Sequence, residues 1–183
     1  LNVQTDVSYA NRQLRATVTT GNARDLRTGL PISSIRVDTT VGDGEFALRN
    51  LDVVAGTSHV TGNVRLASSA EQTEVDVALA AQPLALAEVG YYVPRLRDIP
   101  LSPSLQIRAS GTMQKMAVDV NLKSEAGSLA SRMTGGFQSN IAKFKGDAEV
   151  AGLDLEPWFT RPNLRSRITG HTSFDLTLPD AGF

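Results

Sequence analysis

Apolar and polar residues change places at every second position along almost the whole chain, and this period constrains the fold before composition does. In KMAVDVNLK, residues 115–123, Met116, Val118, Val120 and Leu122 fall on one side of an extended backbone, with Ala117, Asp119 and Asn121 on the other. A period of two belongs to a β-strand with one apolar face. The same pattern groups Leu105, Ile107 and Ala109 in LQIRAS, Phe144, Ala148 and Val150 in FKGDAEV, and Phe174, Leu176 and Leu178 in HTSFDLTL. It recurs in NVQTDVSY, QLRATVTT, SIRVDTTV, GEFALRN, HVTGNVRLA and TEVDVALA. Thr, Val and Ile enrich these runs, as a pleated, half-buried surface prefers.

Short connections separate the runs: GDGE at 42–45, SSAEQ at 68–72, GTMQK at 111–115, SEAGS at 124–128 and FQSNIAK at 137–143. Gly, Asn, Asp and Ser supply tight turns at such places. The expected fold is all-β: about ten strands in a long antiparallel meander. Two stretches interrupt it. PLALAEVGYYVPRL at 83–96 predicts a helix of about two turns, with Pro83 in its first turn and Gly90 and Pro94 marking its end. LDLEPWF at 153–159 predicts a shorter one.

The surroundings of these two stretches are alike. VDVALAAQPLALAEV, VPRL and SLQIRASGTM run parallel to GDAEVAGLDLEPWF, RPNL and SRITGHTSF: a strand, a Leu-x-Leu element, a Pro-x-Leu step, then a strand carrying Gly111 or Gly170. FALRNLDVVAGTSHVTGNVRL, with Leu51, Val53 and Gly62, reads as a shortened third copy. Units around 46–82, 83–146 and 147–183 of one repeat-built segment are the expectation, and the chain, opening on Leu1, reads as a piece of something longer. A one-faced sheet that curls needs its apolar inside covered, and short plugs directing Leu153, Leu155 and Trp158 inward would do so.

Charge narrows the function classes. Eighteen basic residues against nineteen acidic ones leave a net charge of −1, with no block of one sign, which argues against a nucleic-acid or anionic-membrane partner. The absence of Cys removes thiolate metal sites and cysteine nucleophiles. The longest uncharged run, VALAAQPLALA at 77–87, is about half a membrane span. His59 and His171 have no His or Cys at ligand spacing and read as strand residues. Asp43 and Glu45 in VGDGEF read as a strand–turn–strand step rather than a calcium or acid–base pair. Arg95 and Arg97 read as a solvated loop, although a rim meeting lipid phosphates is the sharper alternative. No nucleophile-elbow, Walker or dinucleotide motif occurs, so neither an enzyme nor a cofactor is expected.

The steps AGLDLEPWF, PNLRSRITGHTSFDL, AAQPLALAEVGYYVP and SLQIRASGTM resemble the TamB/AsmA-like family of periplasmic lipid-transport and outer-membrane assembly proteins. The resemblance implies a β-taco, a long bent antiparallel sheet folded into a trough, in a periplasmic protein anchored in the inner membrane. It also implies phospholipid acyl chains as cargo and an outer-membrane TamA-like barrel as partner through another part of the full chain. Under it the groove lining is Leu105, Ile107, Met116, Val118, Val120, Leu122, Phe144, Ala148, Val150, Phe174, Leu176 and Leu178. Such a row solvates acyl chains at about 0.8 kcal/mol per buried methylene.

Alternation alone fits a sealed core equally well. A secreted or cell-surface β-solenoid or sandwich with an adhesive or structural role is therefore the rival. A carbohydrate-active enzyme needs a close carboxylate pair and stacking aromatics, and the lone Trp158 and 5% aromatic content disfavour it.

Overall fold

A computed structural model describes residues 2–10, 12–25, 29–138, 141–159 and 165–178. The described residues form one sheet of eleven strands: β1 Asn2–Ala10, β2 Gln13–Arg24, β3 Pro31–Gly42, β4 Glu45–Ala55, β5 Ser58–Ser68, β6 Thr73–Ala81, β7 Ser104–Thr112, β8 Lys115–Ser124, β9 Gly127–Gln138, β10 Ile141–Leu153 and β11 Ile168–Leu178. Each pairs antiparallel with the next in chain order, so the sheet is an open, curved meander whose edges are β1 and β11. The all-β antiparallel meander expected from the period is observed, and its open, curved sheet is the trough that the resemblance implies.

The eleventh strand is β9, GSLASRMTGGFQ, which alternation does not mark in the sequence. Gly135 and Gly136 and a run of small polar residues blank out the period there, yet the segment pairs along its length with β8 and β10. Turns are also tighter than the sequence suggests. Between β3 and β4 only Asp43 and Gly44 turn, both at positive φ (49° and 73°), as a two-residue hairpin of primed type requires. The turn reading of Asp43 and Glu45 thus describes them.

The two interruptions are shorter than expected. Helix α1 is one turn, Leu86–Val89, closed at Gly90, and a separate 3₁₀ turn follows at Pro94–Leu96. Pro83 lies before α1 rather than inside its first turn, because the backbone from Gln82 still pairs with β5: His59 N–H donates to Pro83 O at 3.0 Å and Gln82 N–H to His59 O at 2.8 Å. Helix α2 is Glu156–Phe159. Asp154 caps it, its Oδ1 accepting from Glu156 N–H and from Ser166 N–H, each at 3.1 Å. The Pro-x-Leu step at 161–164 lies outside the described residues.

The main buried cluster sits at the end of the strands where these connections lie. Leu86, Ile99, Leu101 and Ala126 are buried there, with Leu84, Leu96 and Trp158 packed against them. The two plugs therefore meet each other: the 82–103 connection supplies the leucines and the 154–167 connection the indole. Trp158 faces inward as expected, and Leu153 and Leu155 are half-buried.

Candidate functional site

Register places the apolar side chains in rows that cross the sheet. Tyr9, Leu14, Val41, Phe46, Leu66, Val75, Gly111, Met116, Gly135, Phe144 and Leu176 are successive partners across every strand. Two residues along lies a second row: Val7, Ala16, Thr39, Leu48, Val64, Val77, Ala109, Val118, Met133, Gly146 and Phe174. A third runs Leu51, Gly62, Leu79, Ile107, Val120, Ser131, Ala148 and Thr172. The fourth is Thr20, Ile35, Val53, Val60, Ala81, Leu105, Leu122, Leu129 and Val150.

All the lining residues named from the sequence occupy these rows except Leu178, which is on the same face opposite Ala142. The structure therefore brings them together on one surface. It adds the N-terminal half, from Tyr9 to Leu79, and Leu129, Met133 and Phe137 of β9. Phe137 and Phe144 meet edge to face at 6.0 Å within this lining.

Two bulges keep the rows in phase. Leu48 and Leu51 are three apart and would otherwise point to opposite sides; the register shift between them returns both to the apolar face. Asn50 takes the left-handed conformation (φ 53°), its N–H donating to Asn63 Oδ1 at 3.0 Å and its side chain to Asp38 Oδ2 at 2.8 Å. Hydrogen bonds from Asn50 and then Thr17 hold the Asp38 carboxyl below its usual range. The shift between Val150 and Leu153 is the counterpart in β10, with Gly152 at φ 61° and its N–H donating to Thr169 Oγ1 at 3.0 Å. Each bulge directly precedes a Leu-Asp step, so the likeness of RNLDV and AGLDL has a local structural cause.

The sheet bends toward the apolar side. Gly135 and Gly146 stand in the apolar rows where a Cβ would lie 2.0 Å from Lys143 O and 2.2 Å from Arg132 O, on the neighbouring strands. Only a residue without a side chain permits that fold-over. Along β6 the inner Val75, Val77 and Leu79 are covered more than the outer Glu74, Asp76 and Ala78, although no second layer packs on either face. Coverage varies along the first row. Val75 and Met116 are 7% exposed at its middle, whereas Tyr9 is 72% and Leu176 43% exposed at its edges.

The outer face is polar and solvated. Arg132 meets Asp119 at 3.2 Å, Lys145 meets Asp175 at 3.0 Å, and Ser173 Oγ donates to Asp147 Oδ1 at 2.6 Å. His59 lies 3.1 Å from Asp52 and His171 3.6 Å from Asp147, both on this face, as strand histidines should. Arg95 and Arg97 are exposed on the plug connection, Arg97 stacking over the Tyr91 ring at 5.8 Å. Among the described residues no group of three His, Cys, Asp or Glu gathers at metal-binding distance, and no helix is long and apolar enough to cross a membrane.

One carboxylate fastens the plug. Glu88 Oε1 accepts from Thr57 N–H at 2.7 Å and Thr57 Oγ1 at 3.0 Å, while Oε2 accepts from Ser58 N–H at 3.2 Å and Ser58 Oγ at 2.6 Å. Partial burial pushes this carboxyl up, but the bonds from Ser58 and Thr57 outweigh it and hold it below its ordinary value. Glu88 lies against Gly56, where a Cβ would be 2.2 Å from its Oε1.

Fold and face define an open single-sheet trough with an apolar interior and a plug at one end. Comparison with family models, with curated proteins and with solved structures finds no match.

Proposed function

We propose that the chain is a segment of a periplasm-spanning protein whose trough conducts phospholipids between the inner and outer membranes and supports outer-membrane protein assembly. The supporting observation is the set of apolar rows on an open sheet that, among the described residues, no second sheet covers and the plug covers at one end only. Water-exposed apolar area of this extent is costly unless it works. Eleven strands at about 4.8 Å spacing make a track about 48 Å long, and a leaflet of about 15 Å means about three acyl chains end to end. A wall of mostly apolar side chains, with scattered hydroxyls at Tyr9, Thr20, Thr39, Ser131 and Thr172 and no charge in its rows, grips no single molecule, which is what transport along a path requires.

The TamB/AsmA-like resemblance supplies the membranes at the two ends, the inner-membrane anchor and the TamA-like barrel partner, and it rests on the sequence steps alone. The adhesive or structural rival calls for a sealed solenoid or sandwich; consecutive antiparallel strands in one open layer give it no closed core. The test places a charge on the lining in the full-length protein in its own cell. Val118→Asp and Leu176→Arg should abolish lipid movement to the outer membrane while the protein accumulates normally. Normal outer-membrane lipid supply in both variants would sink the proposal.

A further inference from the structure

Of four shallow depressions on the outer face, three mix charges of both signs. One, about 460 Å³, is lined by Arg132 and His171 together with Asp119, Asp147 and Glu149. Another sets Arg49 and Arg65 beside Asp76. The exception, about 290 Å³, lies at the hairpin end of β8, β9 and β10 and is lined by Lys115, Lys143 and Lys145 with Gln114, Gln138 and Thr134, and by no carboxylate.

Its shape follows from β9. Lys143 pairs across the ladder with Gly136, and Lys115 adjoins Met116, the partner of Gly135. The two ammonium groups therefore flank a strand that carries no side chain at this level. A Cβ on Gly136 would lie 2.3 Å from Gln114 O, so no residue with a side chain can stand between the lysines. Lys145 is two residues further along the same face and is drawn to Asp175 at 3.0 Å. Among the described residues, no carboxylate lies within ion-pair distance of Lys115 or Lys143. Like charges around one opening are unfavourable unless an anion shares them.

We propose that this depression binds a phosphoryl anion, held between Lys115 and Lys143 with Gln114, Gln138 and Thr134 as neutral hydrogen-bonding groups. The site is on the face opposite the trough and stands whether or not the trough carries lipid. Free phosphate and the phosphodiester of a lipid headgroup share this chemistry.

The test uses the ¹⁵N-labelled 183-residue chain, titrated with inorganic phosphate against sodium chloride of equal ionic strength, and with phosphatidylglycerol against phosphatidylcholine vesicles. Saturable shifts of the Lys115, Gly136 and Lys143 amides with phosphate, and not with chloride, establish the site with a free anion as ligand. Sedimentation with phosphatidylglycerol vesicles alone, without a response to free phosphate, establishes it with the headgroup as ligand. In either case the K115Q/K143Q pair should weaken binding at least about tenfold, and K123Q, at the other end of β8, should leave it unchanged. These exposed positions tolerate Gln, which circular dichroism checks. No response to either probe, or equal binding by the double variant, overturns the proposal.

Discussion

At one end of the strands the chain folds back on its own sheet. Leu86, Ile99 and Leu101 are each 6–7% exposed there, Trp158 packs on them, and Glu88 ties the connection to the β4–β5 turn through four hydrogen bonds. At the hairpin end the chain turns tightly, as at Asp43–Gly44 between β3 and β4, and the Leu14, Val41 and Phe46 side chains, of the same chemical kind, stay 37–43% exposed. Strands pair with their neighbours toward both ends, with the register shifts at Ile32/Ser34, Leu48/Leu51 and Val150/Leu153 on the plug side. The difference in side-chain burial separates residues that hold the fold from residues left free to meet something else.

Substitutions should reveal that division. Leu101→Ala removes a buried side chain from the plug cluster and should cost about 3 kcal/mol in urea unfolding. Glu88→Gln should cost about 1–2 kcal/mol, since a neutral amide accepts these bonds less well and brings donors that face donors. Its pH dependence is the sharper mark. The folded carboxyl lies below the unfolded value of about 4.3, so its stabilisation is complete above that pH and is lost as pH falls through the folded value. Asp38 titrates in the same direction, so Glu88→Gln should reduce the acid step without abolishing it. Leu14→Ala, at the open end, should cost about 1 kcal/mol or less. A loss there equal to that of Leu101→Ala would break the comparison. His59→Gln, on the solvated face, should stay within about 0.5 kcal/mol.

The alternation was legible because a half-buried strand has only one way to arrange its side chains. Where the chain departs from plain pleating the pattern went silent. Leu48 and Leu51 share a face only through the bulge at Asn50, which sequence spacing conceals. Strand β9 was hidden because Gly135 and Gly136, which let the sheet bend and open the lysine slot, are the residues that erase its period. The lining expected from the sequence begins at Leu105, although Val75, Val77 and Leu79 in the N-terminal half repeat the same signal. The contact of Trp158 with Leu86 and Leu101 joins segments more than fifty residues apart, and no local pattern announces it.

The central claim is that the apolar rows form a surface open to acyl chains. It is tested most directly by purifying the 183-residue chain from bacterial cells and taking native, then denaturing, mass spectra. Phospholipids of mixed acyl composition should accompany the wild-type chain and be absent from Val118→Asp folded to the same extent. A wild-type chain that emerges free of lipid and takes up none when it is offered would contradict the account.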